Sequence, residues 1–280
     1  MTERRAAIAP ITRVGAGTSK SDHDLVAVEA PVRLDVHSAD GLVQRSLGVL
    51  MRTPGDDDDL VLGLLLTEGV IRHASDLIDL RARGDNSTAA DSLPATLVAR
   101  VAPSVNLDDW AADRATLSTS ACGLCGRLEV QSVNALATRA RAGEMTIAAA
   151  TIALLPARLR DGQTVFEETG GLHAAGLFTS EGHPMTVRED VGRHNAVDKV
   201  IGASLSGGVL ANPGLILVVS GRVAFEIVQK AVMAGLRCIV AVGAPSNLAV
   251  EAARATGTTL VGFVRDGRFN VYAGGERIRY

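Results

Sequence analysis

Cysteine is scarce in this chain, with three in 280 residues. So small and odd a number excludes a disulfide framework and fits a reducing compartment, so a cytoplasmic protein is expected. No stretch is apolar for long enough to span a bilayer, and the N-terminus lacks the charged start and apolar run of a signal peptide, so no membrane partner is expected. Charge of either sign is also missing in excess. A net charge of −3 gives no general electrostatic reason to bind nucleic acid. Neither a Walker loop nor a dinucleotide glycine fingerprint occurs, which excludes an ordinary NTPase or dehydrogenase. Aromatics make up only 3%, while Gly, Ala, Val and Leu are abundant. That balance is typical of α/β proteins with aliphatic buried strands.

Two of the three cysteines fall together in Thr119-Ser120-Ala121-Cys122-Gly123-Leu124-Cys125-Gly126. A Cys-x-x-Cys pair serves half a zinc site, a redox disulfide or a sulfur-carrying thiolate. A structural zinc site needs two more ligands, and Cys238 stands alone while the six histidines never pair at ligand spacing, so no metal site is expected. A thioredoxin-type site opens a helix after a strand, often among aromatic or proline neighbours. Here the flanks are Ser, Thr, Ala and Gly, which suit a mobile loop whose reactive sulfur visits a donor and then an acceptor. Gly123 and Gly126 lower the steric cost of approaching either sulfur.

The pattern divides the chain at this loop. Residues 1–23 are polar and small without periodicity and are expected to be a flexible leader. Residues 24–117 form a smaller α+β domain. Its strands are Leu25 to Val28, Pro31 to His37, Leu42 to Met51, Asp76 to Leu80 and Thr96 to Val101, with a hairpin turn at Ser38 to Gly41 and a polar loop at Gly84 to Asp91. Asp56 to Asp59 precede an apolar helix; carboxylates there cap its N-terminus and complement its dipole, and Gly69 ends it. Residues 118–126 are the loop.

Residues 127–280 form an α/β domain. Helices are expected at Leu128 to Ala140, from Pro156 in a first turn to Glu168, and at Arg193 to Ser204. His173 to Thr179 and Met185 to Arg188 are strand-like. Then Leu215 to Val219, Cys238 to Val242 and Thr259 to Val264 alternate with helices at Ala224 to Ala234 and Leu248 to Thr256. That order predicts a parallel sheet with right-handed crossovers, which places Cys238 in the core.

Ligands of such sheets bind beyond the carboxyl ends of the strands. Ser220-Gly221-Arg222, Gly243 to Asn247 and Arg265-Asp266-Gly267-Arg268 follow the three strands. Two of these turns open helices and two carry arginines, a combination suited to a phosphate-bearing nucleotide or cofactor. The densest polar stretch is Arg188 to Lys199. Helical spacing brings Asn195 near Asp198 and Lys199, and His194 is either a structural hydrogen-bonder or an acid-base group.

These residues also carry a family resemblance. Arg52-Thr53-Pro54-Gly55, Thr67-Glu68-Gly69, the Cys122 to Cys125 loop, Thr169 to Ala175, Arg188 to Lys199, Ser220-Gly221-Arg222, Glu226 to Lys230 and Gly262 to Tyr272 together resemble the formate dehydrogenase accessory sulfurtransferase family, FdhD. The resemblance implies a sulfur relay. A cysteine desulfurase loads a persulfide, and the protein passes the sulfur to the molybdenum bis(molybdopterin guanine dinucleotide) cofactor required by formate dehydrogenase. The family's persulfide cysteine matches Cys122, with Cys125 as second cysteine. Its cofactor-binding segment matches Phe263, Val264, Arg265, Asp266, Gly267 and Arg268, beside which Ser220 and Arg222 lie at the strand ends; GDP or GTP are expected fragment ligands. The family implies a homodimer and a cytidine-deaminase-like three-layer α/β/α main domain beside the smaller N-terminal domain. Deaminase chemistry is not expected, because His173-Ala174-Ala175 lacks the glutamate of a His-x-Glu and no Pro-Cys-x-x-Cys follows. Asp266 departs from the small or neutral residue common in the family, as Ala224 does from a small hydroxyl. A thiol-disulfide oxidoreductase and a non-catalytic cofactor chaperone are the alternatives. The first would cycle a disulfide without a sulfur donor; the second would tolerate loss of both cysteines.

Overall fold

A computed structural model describes residues 4–15, 17–83, 95–108, 110 and 145–280. The Cys122 to Cys125 loop, Arg127, the polar loop at Gly84 to Asp91, the helix expected at Leu128 to Ala140 and the division near Leu117 lie outside the described residues.

The chain opens with β1 (Ala6–Gly15) and β2 (Thr18–Ala27), paired antiparallel over their whole length. This corrects the flexible leader. The residues are polar because both strands are mostly exposed, so the period-2 burial signal that marks a strand is absent. Next come β3 (Ala30–His37), β4 (Gln44–Arg52), α1 (Asp57–Thr67), β5 (Leu77–Arg83) and β6 (Ala95–Val101). Their sheet runs β4-β3-β6-β5. In β3, Val32, Leu34 and Val36 alternate inward, as the sequence predicts.

The C-terminal part contributes β7 (Ile147–Ala148), α2 (Ala149–Asp161), α3 (Thr164–Thr169), β8 (His173–Phe178), β9 (Pro184–Asp190) and α4 (Arg193–Ser206). It closes with β10 (Ile216–Val219), α5 (Phe225–Met233), β11 (Cys238–Ala241), α6 (Asn247–Ala255), β12 (Thr259–Arg265), β13 (Arg268–Ala273) and β14 (Ile278–Arg279). A six-stranded sheet has the order β13-β12-β11-β10-β8-β9. Strands β10, β11 and β12 are parallel as predicted, and β8 and β13 flank them antiparallel. Pro156 is not in a first turn: it lies inside α2, and the expected single helix is two, parted at Gly162 and Gln163. The start was misplaced because Ala149 and Ala150 carry no polar capping signal, and Ala148 at the N-cap makes no side-chain hydrogen bond.

Helices cover both faces of this sheet. On one, Ile152, Leu155 and Leu159 of α2 pack against Phe178, Ile216, Val218, Val240 and Val261. On the other, residues of α4, α5 and α6 share a core with Leu217 and Ile239. That second core is continuous with β3, β6 and α1, so the N-terminal sheet and the main sheet are joined by one hydrophobic cluster.

The junction is the crossing of α1 over α4. A Cβ on Gly63 would lie 1.8 Å from the Asp198 carbonyl oxygen, and one on Gly202 would lie 1.9 Å from that of Asp59. Only glycine permits backbones this close. Of the four aspartates, Asp57, Asp58 and Asp59 lie in the first turn of α1, and Asp56 at the N-cap makes no side-chain capping hydrogen bond. Three of the four pair with arginines: Asp57 with Arg52 at 2.8 Å, Asp59 with Arg188 at 2.9 Å and Asp56 with Arg5 at 2.6 Å. The expected side-chain cap is corrected to ion pairing, while the acidic first turn that complements the helix dipole is present as expected.

Two stability predictions follow from this packing. Gly202→Ala must part the two helices and should lose at least about 1 to 3 kcal/mol, the cost of overpacking a core, read as a fall in the urea midpoint. Cys238→Ala, which empties only a thiol-sized volume on β11, should lose about 1 kcal/mol in the same titration.

Candidate site at the carboxyl edge of the sheet

The Arg188 to Lys199 stretch is a buried scaffold. Asp190, fully buried, accepts hydrogen bonds from the amides of Thr53 and Gly192 and from Asn195 Nδ2, and pairs with Lys199 Nζ at 2.8 Å. Lys199 Nζ also donates to the Thr53 carbonyl at 2.8 Å. One turn on, Asp198 accepts from Lys230 Nζ at 2.8 Å and from Thr67 Oγ1 at 2.8 Å. Asn195 lies one turn from Asp198 and Lys199 on α4, as helical spacing predicts, but bonds to neither. Each of the three finds its partner on another element, because buried charges need full hydrogen-bond satisfaction that neighbours on one helix face do not supply.

Glu189 completes the scaffold. Its carboxylate accepts from the amides of Val165 and Phe166, closing the amino end of α3.

This scaffold fixes the edge where the parallel strands end. Beyond β10, β11 and β12 the backbones remain stitched: Ser220 N donates to the Ala174 carbonyl, Gly243 N to that of Gly221, and Phe263 N to that of Gly243. A Cβ on Gly243 would lie 2.7 Å from the Gly221 oxygen. Gly243 thus lets the ends of β10 and β11 pack backbone against backbone, with no room for a side chain between them. Ser220 Oγ accepts from Ala174 N at 2.9 Å, tying β8 to β10.

The segment after β12 is built differently from a plain strand. Phe263 has φ 54 and the ladder with β13 shifts between Gly262 and Arg265. The bulge turns the Phe263 ring outward, 39% exposed, while Val264 is fully buried in the core. Periodicity alone would have buried Phe263. Asp266 and Gly267, at φ 53 and 71, form a tight turn with positive φ at both centres. Arg265 and Arg268 face each other across it, and both are exposed. The structure thus brings the exposed Phe263, Arg265, Asp266 and Arg268 to the edge that also carries Arg222, whereas the Val264 side chain points into the core.

At the other end of the edge stand residues not assigned a ligand role from sequence. His173 Nδ1 is 3.3 Å from the position a Gly221 Cβ would take, with Arg193 Cδ at 3.7 Å. Burial, then Arg193 and Arg222, hold the His173 pKa below its ordinary value, partly offset by Asp190. His194, next along α4, is pushed down to about 4, first by burial and then by Arg193 and Lys230. Its Nε2 and Arg193 Nε are buried without a hydrogen-bond partner. At neutral pH His194 is therefore uncharged, which favours neither acid catalysis nor ion pairing there. No group of three or more metal-ligating side chains gathers among the described residues, and none of their helices is long and apolar enough to cross a membrane.

The edge presents exposed arginines and an outward aromatic ring.

The FdhD/NarQ family profile matches residues 27–279. A sulfur carrier protein FdhD from Nocardia farcinica is 47% identical over 258 residues, covering 91% of this chain and 88% of that protein. Its namesake from Streptomyces avermitilis is 42% identical over 280 residues, covering 99% and 96%. A crystal structure described as that of a formate dehydrogenase accessory protein from Desulfotalea psychrophila superposes with a TM-score of 0.72 over 99% of this chain and 100% of that one. At 22% identity it establishes the shared fold.

The depressed His194 pKa sets a pH dependence. The folded state holds this imidazole neutral while the unfolded chain protonates near 6.5, so its contribution to stability is complete above 6.5 and is lost as pH falls toward about 4. Urea titrations at pH 7.5, 6 and 5 should show the parent losing stability faster than His194→Gln.

Proposed function

The chain belongs to the FdhD/NarQ family, and on that footing we propose that it is a sulfur carrier which takes persulfide sulfur from a cysteine desulfurase and delivers it to the molybdenum bis(molybdopterin guanine dinucleotide) cofactor of formate dehydrogenase. The observation that carries this reading is near full-length similarity to proteins named sulfur carrier protein FdhD, in a chain that has the Cys122 and Cys125 pair.

In loading, the Cys122 thiolate attacks the outer sulfur of the donor's persulfide. The donor S–S bond breaks, the donor cysteine leaves as thiolate, and Cys122 holds the new persulfide; no net oxidation occurs. In delivery, the acceptor supplies an electron pair to the terminal sulfur, the S–S bond of the persulfide breaks, and the Cys122 thiolate is restored. Cys125 either accepts the sulfur in turn or attacks Cys122, releasing hydrosulfide and leaving a disulfide for a dithiol to reduce.

The acceptor is cargo, and its guanine nucleotide arms are the handle. Phe263 to Arg268, with Ser220 and Arg222, supply the cradle, for which GDP or GTP serve as fragments. The C-terminal part, with α2 on one face of its sheet and α4 to α6 on the other, is in this reading a cytidine-deaminase-like layer that carries His173-Ala174-Ala175 where a deaminase has its glutamate. The protein acts in the cytoplasm, as a homodimer.

Mass spectrometry after incubation with cysteine and a desulfurase should find one added sulfur on Cys122. Cys122→Ala should fold as the parent does and leave formate dehydrogenase inactive; full activation by that variant would end the relay. Arg268→Ala should still load Cys122 but bind GDP about tenfold to a hundredfold more weakly, the equivalent of losing a charge-assisted hydrogen bond, measured by calorimetry.

A further inference from the structure

The β1–β2 ribbon is tied to the rest of the chain at its base. Arg5 Nη2 holds Asp56 at 2.6 Å, Val28 N donates to the Arg5 carbonyl at 2.9 Å, and a Cβ on Gly171, just after α3, would lie 3.1 Å from that of Ala27. From there to the tip both strands are mostly exposed, and among the described residues no third strand pairs with them. Two strands by themselves are marginal in water. A long ribbon with open edges is also a ready template for another chain.

The register sorts the ribbon's side chains by kind. Directly opposed residues share a face, and successive pairs alternate between faces. One face carries Ile8 opposite Leu25, Thr12 opposite Ser21 and Val14 opposite Ser19. It holds no Asp, Glu, Lys or Arg, and its one titratable side chain is His23. Ile8 and Val14 on it are 73% and 74% exposed. The other face takes all of the ribbon's acidic and basic residues, Arg13, Lys20, Asp22 and Asp24, with Arg13 and Asp22 paired at 3.0 Å. Exposed apolar side chains set apart from charge in this way form a surface for a partner.

We propose that the uncharged face is the contact through which two copies of the chain clasp each other, each ribbon laid on the body of the other. The clasp rests on the homodimer of the proposed function and assigns its interface. A two-fold axis brings the same face in twice, and a face without formal charge sets no like charges against each other there. Area decides between stacking and clasping. Ten residues at about 3.4 Å, and two strands about 4.8 Å apart with side chains reaching beyond them, give a face of about 34 by 10 Å, or about 340 Å². Ribbon stacked on ribbon would remove only about 700 Å² from water, short of the roughly 1,200 Å² at which stable interfaces begin. Laid reciprocally on the two bodies, the ribbons cover their own faces and an equal area beneath each. That is about 1,400 Å² in total, within the standard range.

Sedimentation equilibrium of the full chain, with amide hydrogen exchange on the same samples, tests the clasp. The parent should be a dimer at micromolar concentration. On dilution through its dissociation midpoint the β1 and β2 amides should lose protection while those of β10 keep theirs. Ile8→Lys and Val14→Lys, which put a charge on the covered face, should each weaken the dimer about tenfold or more, the loss expected when one apolar side chain is no longer buried. Ala9→Lys, on the charged face, should stay within about threefold of the parent. Val14 pairs with Ser19 next to the tip, away from the anchored base, so its variant keeps the test valid if Ile8→Lys misfolds. A dimer that the folded Lys variants leave unchanged, or that Ala9→Lys weakens as much as they do, would overturn the clasp and leave the homodimer standing. A monomeric parent would defeat clasp and homodimer together. Sulfur loading of Cys122, followed by mass spectrometry in the same samples, reads the sulfur-carrier proposal separately from both.

Discussion

Two buried lysine–aspartate pairs hold the molecule together where α1 crosses α4. Isolated charges at such depth would be strongly destabilising. They are tolerated because each is saturated: Lys199 by Asp190 and the Thr53 carbonyl, Lys230 by both oxygens of Asp198 and by Thr67. The geometry requires close backbones. Gly63 and Gly202 provide them, so that Thr67 on α1 reaches Asp198 on α4 and Thr53 reaches Asp190. Directional, mutually dependent contacts of this kind specify one arrangement of the two sheets, which a purely apolar junction would leave freer to slide.

The consequence is felt at the sheet edge. Asp190 ends β9 and, through Gly192 and Asn195, sets where α4 begins. Arg193 and His194, the first residues of that helix, are positioned by the same carboxylate. Acidic side chains are thus spent inside the scaffold, and arginines are left facing the strand ends. The basic character of the edge arises from this internal allocation in a chain that is slightly acidic overall.

Elements dictated by burial were legible in the sequence. The aliphatic runs at β10, β11 and β12 announce a parallel sheet, and the alternation in β3 announces a half-buried strand. Elements held by something other than burial were not. The β1–β2 hairpin hides because its strands are mostly exposed, and α2 hides its start because Ala148 leaves no capping signal. Within the candidate site, the arginines after β12 could be placed from turn chemistry alone, since Asp266-Gly267 permits positive φ twice. The outward turn of Phe263 depends on a bulge and a hydrogen bond to Gly243 from the neighbouring strand end, which periodicity does not encode. His173 and Arg193 escaped for a related reason. They are 20 residues apart and meet only because β8 runs antiparallel to β10 and α4 starts beside it.

Scarcity of cysteine acquires a chemical meaning from the position of Cys238. Its thiol is fully buried on β11, where burial pushes its pKa up to about 12, slightly opposed by Arg277. At pH 7 roughly one molecule in 10⁵ would carry that thiolate, and no donor persulfide could reach it through the packed layers. A protein that passes sulfur by thiolate attack must prevent sulfur from settling on the wrong thiol, because exchange among accessible thiols is chemically indiscriminate. Burial removes Cys238 from that exchange without removing it from the core.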